Sequence, residues 1–540
     1  MKANGEARRR IAWLLAAAIL GLHAALAWAA RQPDVTTGGD AAQYLLLARA
    51  LRGLGYGDPY IVGTPFHSHY LPGFPLLIAA WTAIVGESFR ALIALNVALS
   101  VGALFLVYAT LARLWSPWIG LLVLLPVAVN PGLVTRAGSG MSEPAYMLFS
   151  LAALVALSGQ GAGRRRSLVA GGCAIFAALI RPIGISLLAA LGLYWLARRR
   201  WRALVAFGLA SLATVGAWLI LILLAPRQFA GDSYVADFVA YSEIGGAVGF
   251  LRVLFSKAAE ALGSQLLDAL ALPLLSGALW DNVAWAAVVW VGGLLGLRLY
   301  CRRWSTAALY LLGYAVFLAA YPWITKRYLD PILPLVIPAV VLGTGAALAR
   351  WRPGVSRAAM IGLAVLLAAA GVVQSAEVIR ERRGCGGSVF QGARDCLSAG
   401  QAGYFDALGY LRGHTDGTAV VLAARGAPLY YHTGRLTSPY GEVFVYGPDR
   451  FREYAERYAV DYVLLGRLSN SEADLARILS RRCGMLRLVE RFSGEVYLFA
   501  ISDASAPASE SEACRVLSGY LEGSPRPEQD RVIGASDSPR

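Results

Sequence analysis

The sequence predicts an α-helical polytopic membrane protein with about 11 transmembrane helices plus interfacial helices, followed by a C-terminal extracytoplasmic α/β domain. Of its 540 residues, 57% are hydrophobic and 15% are charged, whereas an ordinary soluble protein has about 25% charged residues. Many apolar runs are long enough to cross a hydrocarbon core of about 30 Å. These observations exclude an ordinary soluble enzyme, a disordered chain and a fibrous repeat.

Eleven apolar runs are predicted to span the bilayer as helices that rise 1.5 Å per residue. The first, residues 11 to 30, follows MKANGEARRR and is longer than a signal-peptide core, so we expect a retained anchor. Cleavage after Ala27-Trp28-Ala29 is the alternative. The other spans are residues 91–112, 117–134, 143–159, 168–181, 183–197, 203–225, 283–300, 305–323, 330–349 and 357–376.

The basic residues between these spans predict the orientation. With the N-terminus in the cytoplasm, every basic cluster between spans lies on the cytoplasmic side, as the positive-inside rule requires. The odd number of spans then places the region after residue 376 outside. The net charge of +15 does not indicate nucleic acid, because no basic stripe carries interleaved aromatic residues.

The short apolar segment from Leu71 to Gly86 is the main ambiguity, since counting it as a span would invert everything after it. It contains Pro72 and Pro75, so we expect an interfacial or re-entrant helix. The short runs 168–181 and 183–197 are expected to form two helices that turn at Arg181-Pro182, because proline removes a backbone donor. Residues 265–280 are expected to be interfacial.

Composition divides the chain into a membrane core (1–376), an extracytoplasmic α/β domain (377–503) and a mostly disordered tail (504–540) rich in Ser, Pro, Glu and Ala. Within the second region, alternating patterns predict helices near 403–412, 449–458 and 471–481, strands from Thr418 and Asp461, and a hairpin at Ser493-Gly494. This region has neither a GxGxxG motif nor a Walker loop. We therefore expect it to bind glycan or cover a membrane site.

Four of the six cysteines lie after residue 376, in the part of the chain predicted to be outside. An even set of cysteines in an exported domain indicates disulfides. The simplest pairing is Cys385 with Cys396 and Cys483 with Cys514. Free thiols in a cytoplasmic tail are the alternative.

Two acidic residues are predicted on the outer face. Asp40 follows two glycines at the start of a helical pattern, so it could cap that helix, act as a catalytic base, or do both. Glu143 lies between Ser142 and Pro144 in MSEPAYMLF. It could favour the positive end of a helix or take part in chemistry.

Basic residues are predicted on the same face. Arg181 lies at the break between two short helices, and Lys326-Arg327-Tyr328 precedes LDPILPL. Ionisable groups at membrane depth are costly and usually face a protein cavity. Carboxylates can accept the proton of a hydroxyl, and guanidinium and ammonium groups bind phosphate. This set suits transfer from an anionic, lipid-linked donor.

The segments GGDAAQYLLLARAL, HYLPGFPLL, MSEPAYMLF, LIRPIG and KRYLDPILPL resemble the motifs of the GT-C superfamily of polyprenyl-phosphate-dependent glycosyltransferases. The nearest resemblance is to protein O-mannosyltransferases and lipid A aminoarabinose transferases. The segments fall within residues 36–335, so the resemblance covers the membrane core. It implies a GT-C-like fold, a polyprenyl-phosphate sugar donor, and a lipid, glycan or protein acceptor at the outer face of the bacterial cytoplasmic membrane.

The resemblance also implies roles for individual residues. Asp40 matches the catalytic aspartate and Glu143 the second acid. Arg327 matches a donor-phosphate ligand, joined by Lys326 and Arg181. The substrate-groove candidates are Tyr44, His69 and Tyr328. Relatives often have a His or Lys before two adjacent prolines, whereas the prolines that follow His69 are Pro72 and Pro75, which are not adjacent. The role of His69 therefore stays open.

Three questions stay open at this point. No cofactor is certain, although the second acid could act through a divalent cation, Mg²⁺ or Mn²⁺. His67 and His69 could be a metal pair, but without a carboxylate at fixed spacing ordinary loop polarity is favoured. The alternative functions are a transporter or flippase of a lipid-linked or anionic glycan, and a membrane-anchored protein that acts through its outer domain.

Overall fold

The computed structural model of the chain is mostly helical and contains one five-stranded sheet. It describes residues 2–36, 40–53, 55–159, 163–224, 255–256, 258–270, 279–320, 326–349, 352–384, 390, 394–468, 471–502 and 511–522. The described chain forms two compact units. Unit 1 contains Met1–Gln32, Tyr70–Leu224 and the described residues from 255 to 381. Unit 2 contains Pro33–His69 and the described residues from 382 onward.

The helices of unit 1 are α1 (Lys2–Ala29), α3 (Gly73–Val85), α4 (Phe89–Leu114), α5 (Pro117–Ala128), α6 (Pro131–Ala137), α7 (Glu143–Ala156), α8 (Arg164–Ile180), α9 (Ile185–Ala197), α10 (Trp201–Ser211), α11 (Ala217–Leu224), α12 (Leu266–Ala269), α13 (Leu279–Arg303), α14 (Ser305–Ala320), α15 (Leu333–Ala349) and α16 (Pro353–Arg383). A π-helical turn, Leu212–Gly216, joins α10 to α11. Helix α2 (Ala41–Arg52) belongs to unit 2.

The count of eleven spans is not confirmed. Among the described residues, six helices are long and apolar enough to cross a membrane, or seven if α5 and α6 form one broken span. Helices α5 and α6 are bent by 69°, because Asn130 caps α6 through the amide of Leu133 and Pro131 begins the new helix. Several predicted spans are instead helices of 13 to 17 residues.

The interfacial segment after Leu71 forms the 13-residue helix α3, which is too short to span a bilayer. Only part of the predicted segment 265–280 is described, as α12 and the residues before it. The predicted turn at Arg181-Pro182 is present: α8 ends at Ile180, Arg181 is extended, and a helical turn, Pro182–Gly184, leads into α9.

Small residues allow the tightest helix contact in unit 1. Gly292 and Gly296 on α13 face Gly343 on α15, and a Cβ atom on any of them would overlap the backbone of the other helix. Close approach of this kind through small residues is typical of membrane helices, where packing rather than the hydrophobic effect drives association. It fixes α15 and the segment that immediately precedes it, which contains Asp330.

Unit 2 contains a mixed sheet flanked by helices. Its elements are α17 (Ala399–His414), β1 (Val420–Ala423), α18 (Gly426–Thr433), β2 (Leu436–Thr437), α19 (Glu442–Tyr446), α20 (Phe451–Arg457), β3 (Tyr462–Leu465), α21 (Ser471–Ser480), β4 (Leu486–Phe492), β5 (Val496–Ile501) and α22 (Glu512–Glu522). The strand order is β2-β1-β3-β5-β4. Strands β2, β1 and β3 are parallel, and β5 is antiparallel to both β3 and β4.

The predicted helices and strands of the α/β domain correspond to α17, β1, α20, β3 and α21, and the predicted hairpin is β4–β5. Gly494 and Glu495 have φ angles of 64° and 59° in its three-residue turn, in the left-handed region that glycine adopts without steric cost. Cys483 and Cys514 form a disulfide with a Cα–Cα distance of 5.0 Å, which is the pairing expected from the sequence. Cys396 is also disulfide-bonded, and its expected partner Cys385 lies outside the described residues.

Residues 512–522 form helix α22, although the sequence placed them in a mostly disordered tail. The disulfide holds this helix, and Val516, Leu517 and Tyr520 are buried in the core of the domain. Burial of these side chains offsets the conformational entropy lost on ordering the segment. The remainder of the tail lies outside the described residues.

Candidate functional site

Glu143 and Arg181 form a buried ion pair in unit 1. Arg181 Nη1 lies 2.8 Å from Glu143 Oε1 and donates to Ser142 Oγ at 3.1 Å. Glu143 is 2% exposed and Arg181 is 8% exposed. A buried charge is tolerated only when a counter-charge or hydrogen bonds compensate its lost hydration. The two residues therefore depend on each other for their ionised forms.

Local structure presents the two side chains to each other. Asn96 on α4 donates to the backbone carbonyls of Ser139 and Met141, which fixes the segment leading into α7 and Glu143. Arg181 lies at the extended break between α8 and the next helical turn. At this break α3 touches α8 so closely that a Cβ on Gly73 would lie 2.7 Å from the carbonyl carbon of Leu179.

A second ion pair joins Arg136 on α6 to Asp330. Arg136 Nε donates to Asp330 Oδ2 at 2.9 Å, and Asp330 is 3% exposed. Gly132, one turn before Arg136, leaves room for this carboxylate, because its Cβ would lie 2.6 Å from Asp330 Oδ1. Neither residue of this pair was predicted from the sequence. The sequence feature that could have identified them is an ionisable residue within an apolar segment, because such a residue is energetically costly unless it is paired.

Arg327 and Tyr328 complete the group. The Tyr328 ring has Arg181 and Arg327 at 5.2 Å and 5.4 Å from its centroid, which is within cation–π range. The Tyr314 hydroxyl donates to the Tyr328 carbonyl at 2.5 Å and so fixes this turn. The side chain of Lys326 lies outside the described residues, so its predicted role stays a prediction.

We call the set Arg136, Glu143, Arg181, Arg327 and Asp330 the arginine cluster. Both Arg136 and Arg327 lie close enough to Glu143 to interact with it electrostatically. Among the described side chains, the cluster brings together three guanidinium groups and two carboxylates. In a medium of low dielectric constant, guanidinium groups bind anions strongly. Guanidinium groups match the geometry of phosphate oxygens.

Asp40 lies in unit 2, at the position that precedes helix α2. Its backbone carbonyl accepts a hydrogen bond from the amide of Tyr44 at 3.0 Å, but its carboxylate makes no capping hydrogen bond. Capping therefore does not account for the Asp40 side chain. Tyr44, one turn later, is buried at 4% exposure.

His67 belongs to a buried polar network in unit 2. Its Nδ1 lies 2.9 Å from both carboxylate oxygens of Asp58. Gln43 on α2 donates to Asp58 Oδ1 at 3.0 Å and to the Tyr60 hydroxyl at 2.9 Å. His69 is half-buried at the end of this segment.

The described residues do not fit a resident metal ion. Among them, no three His, Cys, Asp or Glu side chains come together as potential ligands. Glu143 and Asp330 each face an arginine, and His67 is bonded to Asp58. Carboxylates in such pairs already have their charge compensated, so we derive no step through a divalent cation.

Comparison with solved structures identifies the fold. ArnT from Cupriavidus metallidurans bound to undecaprenyl phosphate aligns with a TM-score of 0.56 and 12% identity, covering 92% of this chain and 99% of that one. The oligosaccharyltransferase of Archaeoglobus fulgidus in complex with Zn and sulfate aligns with a TM-score of 0.52 and 15% identity, covering 90% and 73%. The archaeal oligosaccharyltransferase AglB from Archaeoglobus fulgidus, in complex with an inhibitory peptide and a dolichol-phosphate, aligns with a TM-score of 0.51 and 14% identity, covering 85% of this chain and 70% of that one.

No family model and no curated protein sequence matches the chain. The likeness to solved structures nevertheless spans most of it, and the GT-C-like fold implied by the sequence motifs is confirmed. The chain is therefore a multi-pass membrane protein of the GT-C fold class.

Proposed function

We propose that this protein is an inverting glycosyltransferase. It transfers a hexosyl or pentosyl group from a polyprenyl-phosphate-linked donor to a hydroxyl group of a lipid, glycan or protein acceptor. The observation that carries the proposal is the arginine cluster, whose three guanidinium groups suit the donor phosphate. The fold supports it, because one protein of this fold is bound to undecaprenyl phosphate and another to a dolichol-phosphate.

The proposed reaction is one displacement at the sugar C1. The Asp40 carboxylate accepts the proton of the acceptor hydroxyl, and the hydroxyl oxygen attacks C1 on the face opposite the phosphate. The bond between C1 and the phosphate oxygen breaks, and its electron pair leaves with the polyprenyl phosphate. Arg327, with Lys326, stabilises that charge.

The ion pairs suggest how the other members of the cluster contribute. Glu143 holds Arg181 in place at a distance of 2.8 Å, so we assign Glu143 a positioning role and Arg181 a phosphate-binding role. Asp330 positions Arg136 in the same way. Tyr44, His69 and Tyr328 remain candidates for the substrate groove, and we assign no step to Mg²⁺ or Mn²⁺.

We further propose that the protein resides in a bacterial cytoplasmic membrane, with its N-terminus inside and its C-terminal domain outside. The basic residues between the apolar helices support this orientation. Thiol labelling of single cysteines introduced near residues 40, 143 and 450 in intact cells tests it. Protection of any one of the three from an impermeant reagent, with labelling after the membrane is opened, would contradict the shared outer location.

The decisive experiment is reconstitution of the purified protein into vesicles with radiolabelled polyprenyl-phosphate sugars. We expect one donor to be consumed and the product to have inverted configuration at C1. Asp40→Asn should lower turnover by about 10²- to 10⁴-fold, and Arg327→Gln should raise the KM for the donor.

The matched controls are Asp449→Asn and Arg487→Gln, which alter exposed side chains of unit 2 and should leave turnover unchanged. Wild-type turnover by folded Asp40→Asn protein would contradict the assignment of the base. Flux of the labelled compound across the vesicle wall without consumption would indicate a transporter instead.

A further inference from the structure

We infer that His432 is a positioning residue for Asp40, acting through a polar clasp that ties Asp34 and Thr36 to helix α18 of the C-terminal α/β domain. This inference rests on the proposed role of Asp40 as the base. Residues on both sides of Asp40 are attached to helix α18 and strand β2, although nearly 400 positions separate them in sequence.

The clasp itself consists of His432, Asp34 and Thr36. His432 Nε2 lies 3.1 Å from Asp34 Oδ1 and 3.0 Å from Thr36 Oγ1. Asp34 Oδ1 also accepts a hydrogen bond from the backbone amide of Thr36 at 2.8 Å, which makes a local Asx turn. The backbone before Asp40 is thereby held to the C-terminal part of α18.

The His432 ring has a defined orientation within unit 2. Its centroid lies 5.1 Å from that of Phe390 and 6.0 Å from that of Phe405, with both contacts edge-on. These contacts restrict ring rotation, so Nε2 is directed at Asp34. The side chains of His432 and Asp34 are 10% and 16% exposed. A bond this well shielded from water is screened less than a surface pair.

The residues after Asp40 are attached to the same part of the domain. Helix α2 packs against α18. Gln43, three residues after Asp40, donates to the Tyr60 hydroxyl. Thr437 of β2 donates its amide to the Tyr60 carbonyl at 2.7 Å and accepts the amide of Val62 at 3.0 Å, so this segment pairs with the edge of the sheet. With the backbone fixed on both sides, the clasp sets where the Asp40 carboxylate lies.

This arrangement has a kinetic consequence. A displacement of a catalytic group by about 1 Å can lower turnover by about 10²-fold without changing the affinity for substrate by a comparable factor. Loss of the clasp should therefore lower kcat more than it raises KM. A residue that only stabilised the domain would lower the amount of folded protein and leave kcat per folded molecule unchanged.

The test compares His432→Phe, which keeps an aromatic ring but has no ring nitrogen, with His432→Gln, whose amide can donate where Nε2 does. We expect His432→Phe to lower kcat per folded molecule about 10- to 100-fold, with a donor KM within about 3-fold of wild type, and His432→Gln to recover most of the loss. The control is His414→Phe, because His414 is exposed and bonds to the Tyr410 carbonyl of its own helix.

Hydrogen exchange of the full-length protein gives a readout independent of activity. The Thr36 amide, which bonds to Asp34, should exchange faster in His432→Phe than in wild type or His414→Phe. If His432→Phe fails to fold, Asp34→Asn supplies the same comparison, since it removes the charge from the clasp.

The outcomes separate the two proposals. Wild-type kcat and unchanged exchange in His432→Phe, with Asp40→Asn inactive, would overturn the positioning role alone. Full turnover in Asp40→Asn would overturn the proposed base, whatever the His432 variants show.

Discussion

Removing one partner of the Glu143–Arg181 ion pair should destabilise the protein, and removing both partners should restore most of that stability. Arg181→Met leaves a carboxylate that is 2% exposed without the cation 2.8 Å away. Breaking a buried pair in this way costs about 3–5 kcal/mol, whereas replacing both members by apolar residues is often neutral. Arg136 and Arg327 also interact with Glu143, so we expect a loss near 3 kcal/mol, the lower end of that range.

The measurement is equilibrium unfolding in mild detergent for wild type, Arg181→Met, Glu143→Met and the double variant, in each case as a free energy of unfolding. The double variant should lie within about 1 kcal/mol of wild type. Its turnover should stay low, because Arg181, the proposed phosphate ligand, is missing. Stability and activity are therefore expected to separate in the double variant, which a purely structural pair would not produce.

The control is Arg450→Met in the Arg450–Glu453 pair, whose side chains are 58% and 55% exposed. Exposed pairs contribute about 0–1 kcal/mol, so this change should have little effect on unfolding. An Arg181→Met variant as stable as the double variant would contradict this prediction. In that event the carboxylate does not need Arg181 to remain buried.

Two further predictions concern backbone packing and pH. Gly73→Ala should destabilise unit 1 by about 1–3 kcal/mol by overpacking, because the new Cβ would lie 2.7 Å from the backbone of Leu179. The control is Gly172→Ala, whose new Cβ would have no other atom within 4 Å. This control should be neutral or stabilising in the same unfolding assay. Burial acts to raise the pKa of Asp34, but the hydrogen bond and charge of His432, together with the hydrogen bonds of Thr36, outweigh burial and lower that pKa below its ordinary value of 3.8. The stability that this carboxylate contributes is therefore present above pH 3.8 and is lost as the pH falls through the lower pKa of the folded state. The difference in unfolding midpoint between wild type and Asp34→Asn should accordingly vanish in strong acid. A difference that persists unchanged in strong acid would contradict this prediction.

The sequence predicts local features of this fold well, because their causes are local. Proline at Pro182 breaks the helix pair beside Arg181, and glycine at Gly494 allows the hairpin turn. The alternation of helical and strand patterns locates β1 and β3 to within two residues. Each of these signals depends on residues within a few positions of one another.

The partners of the charged residues could not be predicted in the same way. The Arg136–Asp330 pair joins residues 194 positions apart, and the Asp34–His432 bond joins residues 398 apart. A charge in an apolar segment is energetically costly, but no local sequence pattern indicates which opposite charge compensates it. The number of spans is equally hard to predict, because a mostly apolar run such as residues 117–134 still bends by 69° at Asn130-Pro131.

The composition of unit 2 changes how a truncation experiment should be interpreted. Loss of activity on deleting the chain after residue 381 would at first favour a membrane anchor whose outer domain performs the function. That deletion also removes His432, which binds Asp34, and Thr437, which pairs with Tyr60 and Val62. Pro33–His69, which contains Asp40, would lose the unit with which it folds. Truncation therefore cannot distinguish the two functions, whereas point substitutions can: activity lost in Asp40→Asn but kept in Arg487→Gln places the chemistry at Asp40.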